Sequence, residues 1–357
     1  MTLHSKKILL VASAALLFTA CKKDKDPVFV INNSSGAQVE LNGITSAGEA
    51  GGSAGNSVYL DLSSDKTTTA LRSGWDLGFY SGPEFRVIIN NTSSAGAKVL
   101  AKNDLTQVDE TDTIGLTLSV NQFNPLPSDL VYFDDINGNI TSTVIPAASA
   151  NDASNNVVII NRGAGGGITA RPWMKIRVLR NATGGYTLQY ARIKETTFQT
   201  LTVPKSDDYH FTFVSFDKGI VAVEPPKENW DIVWSYSLFH QDFGAGLAPY
   251  NFADMIAVNH LSNVQVRQRT YATEAIATAA YDAFNRDSVN ANPVAPGRWT
   301  IGSGWRSTQP ATGARRNIFY VIKDPAGNYY KFRCLSMGVG SDGETRGKPV
   351  FAYKLIP

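Results

Sequence analysis

Alternation of apolar with small or polar residues along short stretches is the sequence feature that most constrains this fold. It occurs in VYLDL (58–62), WDLGF (75–79), EFRVIIN (84–90), YHFTFVSF (209–216) and WDIVWSY (230–236). One-sided alternation is typical of antiparallel strands that bury one face. Plentiful Thr, Asn, Ser, Gly and Ala also favour strands and turns over long helices. We therefore predict an all-β, mainly antiparallel fold.

One stretch has helical rather than strand periodicity. In TEAIATAAYDAFNRD (273–287), Ile276, Ala280 and Phe284 fall on one helical stripe, and Thr273 is a suitable N-cap residue. We predict a short helix that covers a sheet or a sheet edge.

Three pieces of the sequence occur twice in the same order, which indicates a duplication. We place a first copy at 37–195 and a second at 196–357, as two tandem domains. Two widely separated copies exclude a propeller of Trp-Asp repeats, which needs four or more closely spaced blades. The paired pieces are YLDLSSDK (59–66) with FTFVSFDK (211–218), GWDLGF (74–79) with NWDIVW (229–234), and KIRVLRNATGGYTLQYARI (175–193) with IFYVIKDPAGNYYKFRCL (318–335).

In each copy the Trp of the Trp-Asp pair begins a stripe of inward-facing residues. The Asp is expected to point away from that stripe, towards a turn. The predicted core residues are Trp75, Leu77 and Phe79 in the first copy and Trp230, Ile232 and Trp234 in the second.

The N-terminus has the pattern of a lipoprotein signal peptide. Lys6 and Lys7 precede an apolar run that is too short to span a bilayer, and LFTAC resembles a bacterial lipobox. We predict that residues 1–20 are removed, that Cys21 is lipidated, and that 21–36 form a tether. The KKDKD after the cysteine resembles the export signals of surface lipoproteins in Bacteroidetes-type bacteria. An outer-membrane lipoprotein at the cell surface is predicted, with a periplasm-facing one as the alternative.

The charge balance and the cysteine count exclude other classes. The chain has 33 Lys and Arg against 31 Asp and Glu, and a nearly neutral protein lacks the electrostatic footprint of nucleic-acid binding. No stretch after the signal segment approaches about 18 apolar residues, so the lipid alone would attach the protein to a membrane. Cys334 has no disulfide partner and shares a strand face with Tyr330 and Phe332, which predicts a buried structural thiol.

Sequence motifs of catalysis are missing. GAGGG (163–167) follows a strand-like stretch, but Ile168 stands where a dinucleotide-binding motif needs its third Gly, so a flexible Gly loop is the simpler interpretation. The sequence has no GK[ST], G-x-S-x-G or HExxH. DETD (109–112) lacks calcium-loop spacing and predicts a solvated turn. We predict that the protein is not an enzyme.

Three histidines follow the signal segment, and none lies within metal-ligand spacing of another. His210 alternates with buried aromatic residues and is expected to face water or the other side of its sheet. His240 lies at the end of the strand that begins at Trp230, and His260 lies five residues after Met255. Each histidine is interpreted first as structural.

Three long stretches carry a family resemblance. They are HFTFVSFDKGIVAVEPPKENWDIVWSYS (210–237), RRNIFYVIKDPAGNYYKFRCLSM (315–337) and the terminal PVFAYKLIP (349–357). They resemble the HmuY family, haem-binding surface lipoproteins of Bacteroidetes, and the first copy resembles it more weakly. The resemblance implies an all-β fold and non-catalytic capture of haem.

Members of that family hold haem between two axial side chains, His with His or Met with Met. The resemblance places the two ligands in FNRDSVNANPVAPGR (284–298) and WTIGSGWRSTQP (299–310). Neither stretch contains His or Met, and neither does the corresponding loop of the first copy, IINRGAGGGITARP (159–172).

Two functions remain. The first is binding of haem or another porphyrin for uptake, with His240, His260 and Met255 as candidate ligands, because a His at a strand end or a loop Met can ligate haem iron. The second is recognition of a protein, a glycan or another small ligand through loop aromatics such as Trp305 and Tyr250. A hydrolase lacks a catalytic constellation.

Overall fold

Strands dominate the chain, which confirms the all-β prediction. The computed structural model describes residues 33–291, 293–340 and 342–357. The predicted signal peptide and Cys21 lie outside these residues. Within them, no helix has both the length and the apolar character to cross a membrane.

The described strands form four antiparallel sheets and a two-stranded ribbon. Sheet 1 contains β1 (Gly36–Glu40), β15 (Gln265–Thr270), β16 (Ala295–Pro296), β19 (Ile318–Lys323), β20 (Tyr329–Ser336) and β21 (Val350–Ile356). Sheet 2 contains β2 (Asn56–Asp61), β3 (Lys66–Leu71), β13 (Ile232–Asp242) and β14 (Leu247–Val258). Sheet 3 contains β4 (Leu77–Tyr80), β5 (Val87–Ile89), β11 (Phe211–Ser215) and β12 (Gly219–Val221). Sheet 4 contains β6 (Gly96–Val99), β7 (Val158–Asn161), β8 (Met174–Arg180), β9 (Tyr186–Arg192) and β10 (Gln199–Val203).

Helices are short and connect or cover the sheets. The ribbon is β17 (Arg306–Ser307) with β18 (Gly313–Ala314). The α-helices are α1 (Glu274–Ala283) and α2 (Arg286–Ala291). The 3-10 helices are Gly51–Ser53, Arg72–Gly74, Leu105–Gln107, Glu110–Thr113, Pro127–Tyr132, Asp152–Ser154, Gly165–Gly167 and His260–Ser262.

The strand orders of the four sheets are reciprocal between the two halves of the chain. Sheet 2 runs β14-β13-β2-β3 and sheet 3 runs β12-β11-β4-β5, so the early hairpin of each half pairs with later strands of the other half. Sheet 1 ends with β21 paired to β1, and sheet 4 ends with β9 paired to β10. The first three strands of each half therefore pair in sheets with strands of the other half: β1–β3 lie in sheets 1 and 2, and β10–β12 in sheets 3 and 4.

The predicted division into domains 37–195 and 196–357 does not describe how the chain packs. Ser34–Pro357 form one compact unit, and every one of the four sheets contains strands from both sides of the predicted boundary. The prediction treated order in the sequence as order in space. Two duplicated segments that pair their strands with each other would give this reciprocal arrangement. The duplication itself stays a prediction.

Buried side chains lie between successive sheets and set the four sheets in layers. One cluster joins sheets 1 and 2, a second joins sheets 3 and 4, and a smaller aromatic cluster joins the two middle sheets. Trp75 and Trp230 both belong to this middle cluster. The first residue of each predicted stripe therefore lies in a different core from the other two residues. The rest of each stripe is buried as predicted: Leu77 and Phe79 between sheets 3 and 4, and Ile232 and Trp234 between sheets 1 and 2.

The Asp of the first Trp-Asp pair is a buried connection to the other half, not a residue that faces a turn. Asp76 is 2% exposed. Its backbone N–H donates to the carbonyl of Val214, and its Oδ2 accepts the backbone N–H of Phe216 at 2.9 Å. Arg162 donates to both carboxylate oxygens at 2.8 and 2.9 Å, and Arg171 lies 3.1 Å away. Such bidentate charged hydrogen bonds are strong and directional.

The second Trp-Asp pair repeats the backbone contacts without the cation. Asp231, 1% exposed, donates its N–H to the carbonyl of Leu60 and accepts the N–H of Leu62 at 2.8 Å. The structure shows no ion pair for it among the described residues. Burial raises the pKa of its carboxyl well above the ordinary value. The two aspartates therefore share their backbone contacts, but only Asp76 has a buried arginine as an ion-pair partner among the described residues.

An asparagine completes the motif in each half. The N–H of Asn90 donates to the carbonyl of Asp76 at 3.1 Å, and that of Asn259 to the carbonyl of Asp231 at 2.9 Å. Each side-chain amide then donates to the carbonyl of the Trp in its own half, at 2.8 and 2.9 Å. Sequence reasoning missed these residues, because the two Asn lie at different distances from their Trp-Asp pairs.

The Gly-rich loop at 163–167 serves to bind a buried cation of the protein itself. Arg72 is fully buried, and its five N–H groups donate to backbone carbonyls rather than to a carboxylate. The guanidinium also lies 5.0 Å from the ring centre of Tyr236. The acceptors are Ala54, Thr92, Gly165, Ser53 and Gly166.

The helix prediction is confirmed in place and role, though not in every residue of its buried face. Thr273 caps α1 by accepting the N–H of Ile276. Ala277 and Tyr281 are buried, with the Tyr281 ring 5.4 Å from that of Phe319 in sheet 1, whereas Ile276 is 50% exposed. The helix thus covers the outer face of a sheet.

Two smaller predictions are confirmed. Cys334 is a buried free thiol, 4% exposed, in the same core as Tyr330 and Phe332. The acidic stretch at 109–112 is exposed at Asp109, Glu110 and Thr111 and forms one 3-10 turn, which a capping box between Asp109 and Asp112 closes.

The two buried aspartates give a matched pair of variants. Asp76→Asn should lower the free energy of unfolding by about 3 kcal/mol at pH 7, because it removes the buried carboxylate that Arg162 contacts and leaves this arginine only the exposed Asp217. Asp231→Asn should change it by less than about 1 kcal/mol, because the amide oxygen still accepts the N–H of Leu62 and no ion pair is lost. Urea denaturation measures both, and equal losses in the two variants would contradict the assigned difference in ion pairing.

Candidate functional site

The two middle sheets do not close on each other completely, and the space between them is a cavity. Its volume is about 130 Å³. Apolar and aromatic side chains form most of its wall, including Trp75, Ile88, Phe213, Val233 and Leu238. These residues come from both halves of the chain, so the reciprocal pairing of strands builds the cavity.

One side of the cavity carries ionisable groups. Burial raises the pKa of Glu224 to about 8, and its Oε1 has no hydrogen-bond partner. Burial also raises the pKa of Asp134 to about 6, although its two oxygens accept the N–H groups of Ile89 and Val144. The Arg298 guanidinium lines the same cavity, and burial lowers its pKa.

A loop at 133–143 covers the cavity and is held by side chains of the second half. Trp299 Nε1 donates to the carbonyl of Ile136 at 2.6 Å. Gly138 has a φ of +77°, and a Cβ there would lie 2.7 Å from Nη1 of Arg298 and 2.9 Å from Cε1 of His260. A side chain at position 138 is therefore excluded both by backbone strain and by these neighbours.

Two of the three histidines border this cavity. His210 Nε2 lies 2.7 Å from Oγ of Ser262, and burial lowers the pKa of His210 to about 4. His210 is half-buried, so it does not simply face water, and the alternative that it faces the other side of its sheet stays a prediction. His260 has Nε2 3.2 Å from the Gly138 carbonyl and Nδ1 3.4 Å from the Val258 carbonyl, and burial lowers its pKa as well. Both rings are neutral at pH 7 and occupied by protein contacts.

A second candidate site is the arm formed by the outer part of β13 and β14. Only Ile232–Trp234 of β13 pair with β2, whereas the pairing with β14 continues to Asp242. The arm carries a run of aromatic rings in contact. Phe239 lies 5.5 Å from Trp299 and 5.8 Å from Phe252, and Tyr250 lies 5.4 Å from Phe252 and 5.2 Å from Phe243.

Exposed apolar side chains continue from the arm onto a neighbouring segment. Phe243 is 57% and Leu247 48% exposed at the tip of the arm. Residues 121–132 join the arm because Gln122 exchanges two hydrogen bonds with the backbone of Asn251, at 2.7 and 3.2 Å. Contiguous exposed apolar surface of this kind marks interaction sites. The exposed side chains of the joined segment are Phe123, Leu126 and Val131.

His240 is the one sequence-predicted ligand on this arm. Its imidazole stacks on the ring of Phe239, with centroids 4.3 Å apart and planes at 21°. The side chain is half-buried, and its ring nitrogens have no hydrogen-bond partner among the described residues. A nitrogen in this state is free to bind a ligand.

The other predicted residues lie elsewhere and do not join His240. Met255 is 1% exposed, and its methyl group packs beside the position of Gly302. Trp305 is fully buried, with Nε1 donating to the carbonyl of Asp254 at 2.9 Å, so it is not the loop aromatic that the sequence suggested. Tyr250 does lie on the aromatic arm.

Sequence reasoning missed Glu224 and Arg298 in the cavity and Phe239 on the arm. Glu224 lies between strands, and Arg298 ends a stretch in which the family resemblance implies His or Met ligands, not Arg. The aromatic spacing of SLFHQDF and YNF is the signal that points to the arm. Among the described residues no group of three or more His, Cys, Asp or Glu side chains is placed to hold a metal ion.

Glu224 makes unfolding depend on pH. Because the pKa of Glu224 is raised from 4.5 to about 8 in the fold, its contribution to stability is fully present below pH 4.5 and is lost as pH rises through 8. We expect Glu224→Gln to match the native protein near pH 4 and to be more stable by about 1–3 kcal/mol at pH 9. Urea denaturation across this range measures the difference. The exposed Glu228→Gln is the matched control, and parallel pH profiles for the native protein and Glu224→Gln would refute the shift.

Comparison with known proteins places the whole assembly in one family. A single match to the family model described as HmuY protein extends over residues 53–353 of the 357. It crosses the predicted domain boundary without a break, in agreement with one compact unit. No curated protein and no solved structure matches the chain. The cavity, the aromatic arm and the reciprocal sheets are thus features of a protein that belongs to the HmuY family.

Proposed function

We propose that this protein is a non-catalytic binding protein that takes up haem or a related planar aromatic ligand on the aromatic arm. The observation that carries the proposal is the His240 imidazole, half-buried, without a hydrogen-bond partner among the described residues, and stacked on Phe239. Membership in the HmuY family supports it, because haem capture is the task that the family resemblance implied.

The arm suits a porphyrin better than the cavity does. Sites for drug-sized ligands have volumes of about 300–1,000 Å³, and the cavity has about 130 Å³. On the arm, the rings of Phe239, Phe243 and Tyr250 offer apolar faces to a flat macrocycle. A porphyrin would therefore lie against the arm, partly open to solvent.

One protein ligand to iron is the arrangement that these residues support. His240 has free ring nitrogens, whereas both nitrogens of His260 lie near carbonyls and Met255 is enclosed. The two-ligand clamp of the family is not reproduced at the positions where the resemblance placed it. His240 would then hold haem through its imidazole, and the aromatic rings of the arm would hold it by stacking.

The alternative function is recognition of a protein, a glycan or another small ligand without iron ligation. The exposed Phe123, Phe243 and Leu247 favour it as well, because apolar stacking does not need a metal. The two functions differ in the role of His240, which is the iron ligand in the first and is not required in the second.

Haemin titration of residues 22–357 separates the two. We expect a saturable Soret shift, and His240→Ala should abolish the shift and weaken binding about tenfold or more, because it removes the iron ligand. Met255→Leu and His260→Gln are the controls and should leave the spectrum unchanged. A native spectrum in His240→Ala would exclude His240 as the ligand, whatever else binds.

Metal-free protoporphyrin IX isolates the contribution of the aromatic surface. It should bind the native protein and His240→Ala equally, whereas Phe243→Ala should weaken it severalfold, because one exposed stacking face is lost. Fluorescence titration measures this. Equal binding by Phe243→Ala and the native protein would contradict the proposal that the porphyrin binds on the aromatic arm.

We further propose that Cys21 carries a lipid that holds the protein at the outer membrane, facing the cell exterior. The support is the sequence LFTACKKDKD, since Cys21 lies outside the described residues. Cys21→Ala should move the protein from the membrane fraction to the periplasmic fraction, and protease added to intact cells should degrade only the native form. Native protein resistant to the protease would favour the periplasm-facing alternative.

A further inference from the structure

We propose that the cavity between sheets 2 and 3 binds a small neutral molecule with an aromatic ring and one hydroxyl group, of the size of a phenol. This site is separate from the aromatic arm, and its occupancy does not depend on haem. The unpartnered polar atoms that face the cavity, its apolar walls and its volume carry the inference together.

An unpartnered donor belongs to a buried residue in the cavity wall. Trp230 is 7% exposed and lines the cavity, yet its Nε1 has no hydrogen-bond partner. Buried N–H groups nearly always have partners, because leaving one unmade costs more than a hydrogen bond gains. A ligand in the cavity that has an acceptor atom would give the indole N–H its missing hydrogen bond.

An unpartnered oxygen belongs to a second residue of the same wall. Glu224 lines the cavity, one of its oxygens accepts the N–H of Phe211, and the other, Oε1, has no partner. A hydroxyl group suits both atoms in either protonation state of Glu224, since its oxygen accepts from the indole N–H and it can donate to a bare Oε1 or accept from a protonated one.

The charges around the cavity favour a neutral occupant. Arg298 brings one positive charge, and Asp134 and Asp135 bring carboxylates on the cover loop. The remaining ionisable groups that face the cavity are Glu224, Tyr59, His210 and His260, and burial shifts the pKa of each towards its neutral form. Arg298 attracts both aspartates, so these charges are already partnered, and a charged ligand would lose its hydration without gaining a free counter-ion.

Size and wall chemistry specify the rest of the ligand. An apolar cavity of about 150 Å³ in another protein holds benzene, and this one has about 130 Å³. The rings of Trp75 and Phe213 meet edge to face at 4.9 Å in its wall, and Tyr59 and Trp230 do so at 5.1 Å. Such walls suit a single aromatic ring.

Isothermal titration calorimetry with phenol tests the inference on residues 22–357. We expect saturable one-to-one binding, and about three- to tenfold weaker binding by Trp230→Phe, which keeps a ring but removes the N–H. Ala257→Leu, which fills the cavity wall, should abolish binding, with circular dichroism confirming that the variant folds. His240→Ala should bind phenol like the native protein, which separates this site from the arm.

A charge series completes the test. Benzoate and benzylammonium should bind at least tenfold more weakly than phenol, because each would bury a charge that finds no free counter-ion in the cavity. Absence of saturable heat with phenol, native affinity in Ala257→Leu, or equal affinity for either charged probe would overturn the proposal.

Discussion

The structure depends on two buried carboxyl groups that accept backbone N–H groups from the opposite half of the chain. Asp76 receives the N–H of Phe216, and Asp231 that of Leu62, and each follows a Trp that packs between the middle sheets. A buried N–H needs an acceptor, so each aspartate fixes where the hairpin of the other half ends its pairing. These contacts hold the strands of the two middle sheets in position and so shape the cavity between the sheets.

Much of the fold is predictable from the sequence, because one-sided alternation specifies antiparallel strands and identifies which side chains are buried. Leu77, Phe79, Ile232 and Trp234 are all buried as the pattern requires. Partner strands are a different matter, since alternation fixes the face of a strand but not its neighbour. The repeat suggested two separate domains, and only the pairing of β2 with β13 and of β11 with β4 reveals that the halves exchange hairpins.

The candidate sites were predictable only in part. His240 was found because a histidine at a strand end is visible in the sequence, and the arm gives it an aromatic neighbour. Trp305 lies in a turn as expected but is buried, and Met255 lies in β14 rather than in a loop, because packing against distant strands decides both. Glu224 and Arg298 carry no motif, and their importance follows from the cavity that encloses them. Membership in the HmuY family does not resolve this, since the stretches that should hold its ligands contain neither His nor Met.

The pairing of β1 with β21 has a consequence for the order in which the protein is built. The first strand of the unit is held by the last, with Gly36 opposite Lys354. Contacts between the ends of a chain are slow to form, because a long loop must close first. During synthesis the early hairpin β2–β3 has no neighbouring strand until β13 is made. Sheets 1 and 2 are therefore completed only after the later strands are made, and a truncation in β21 would also release β1.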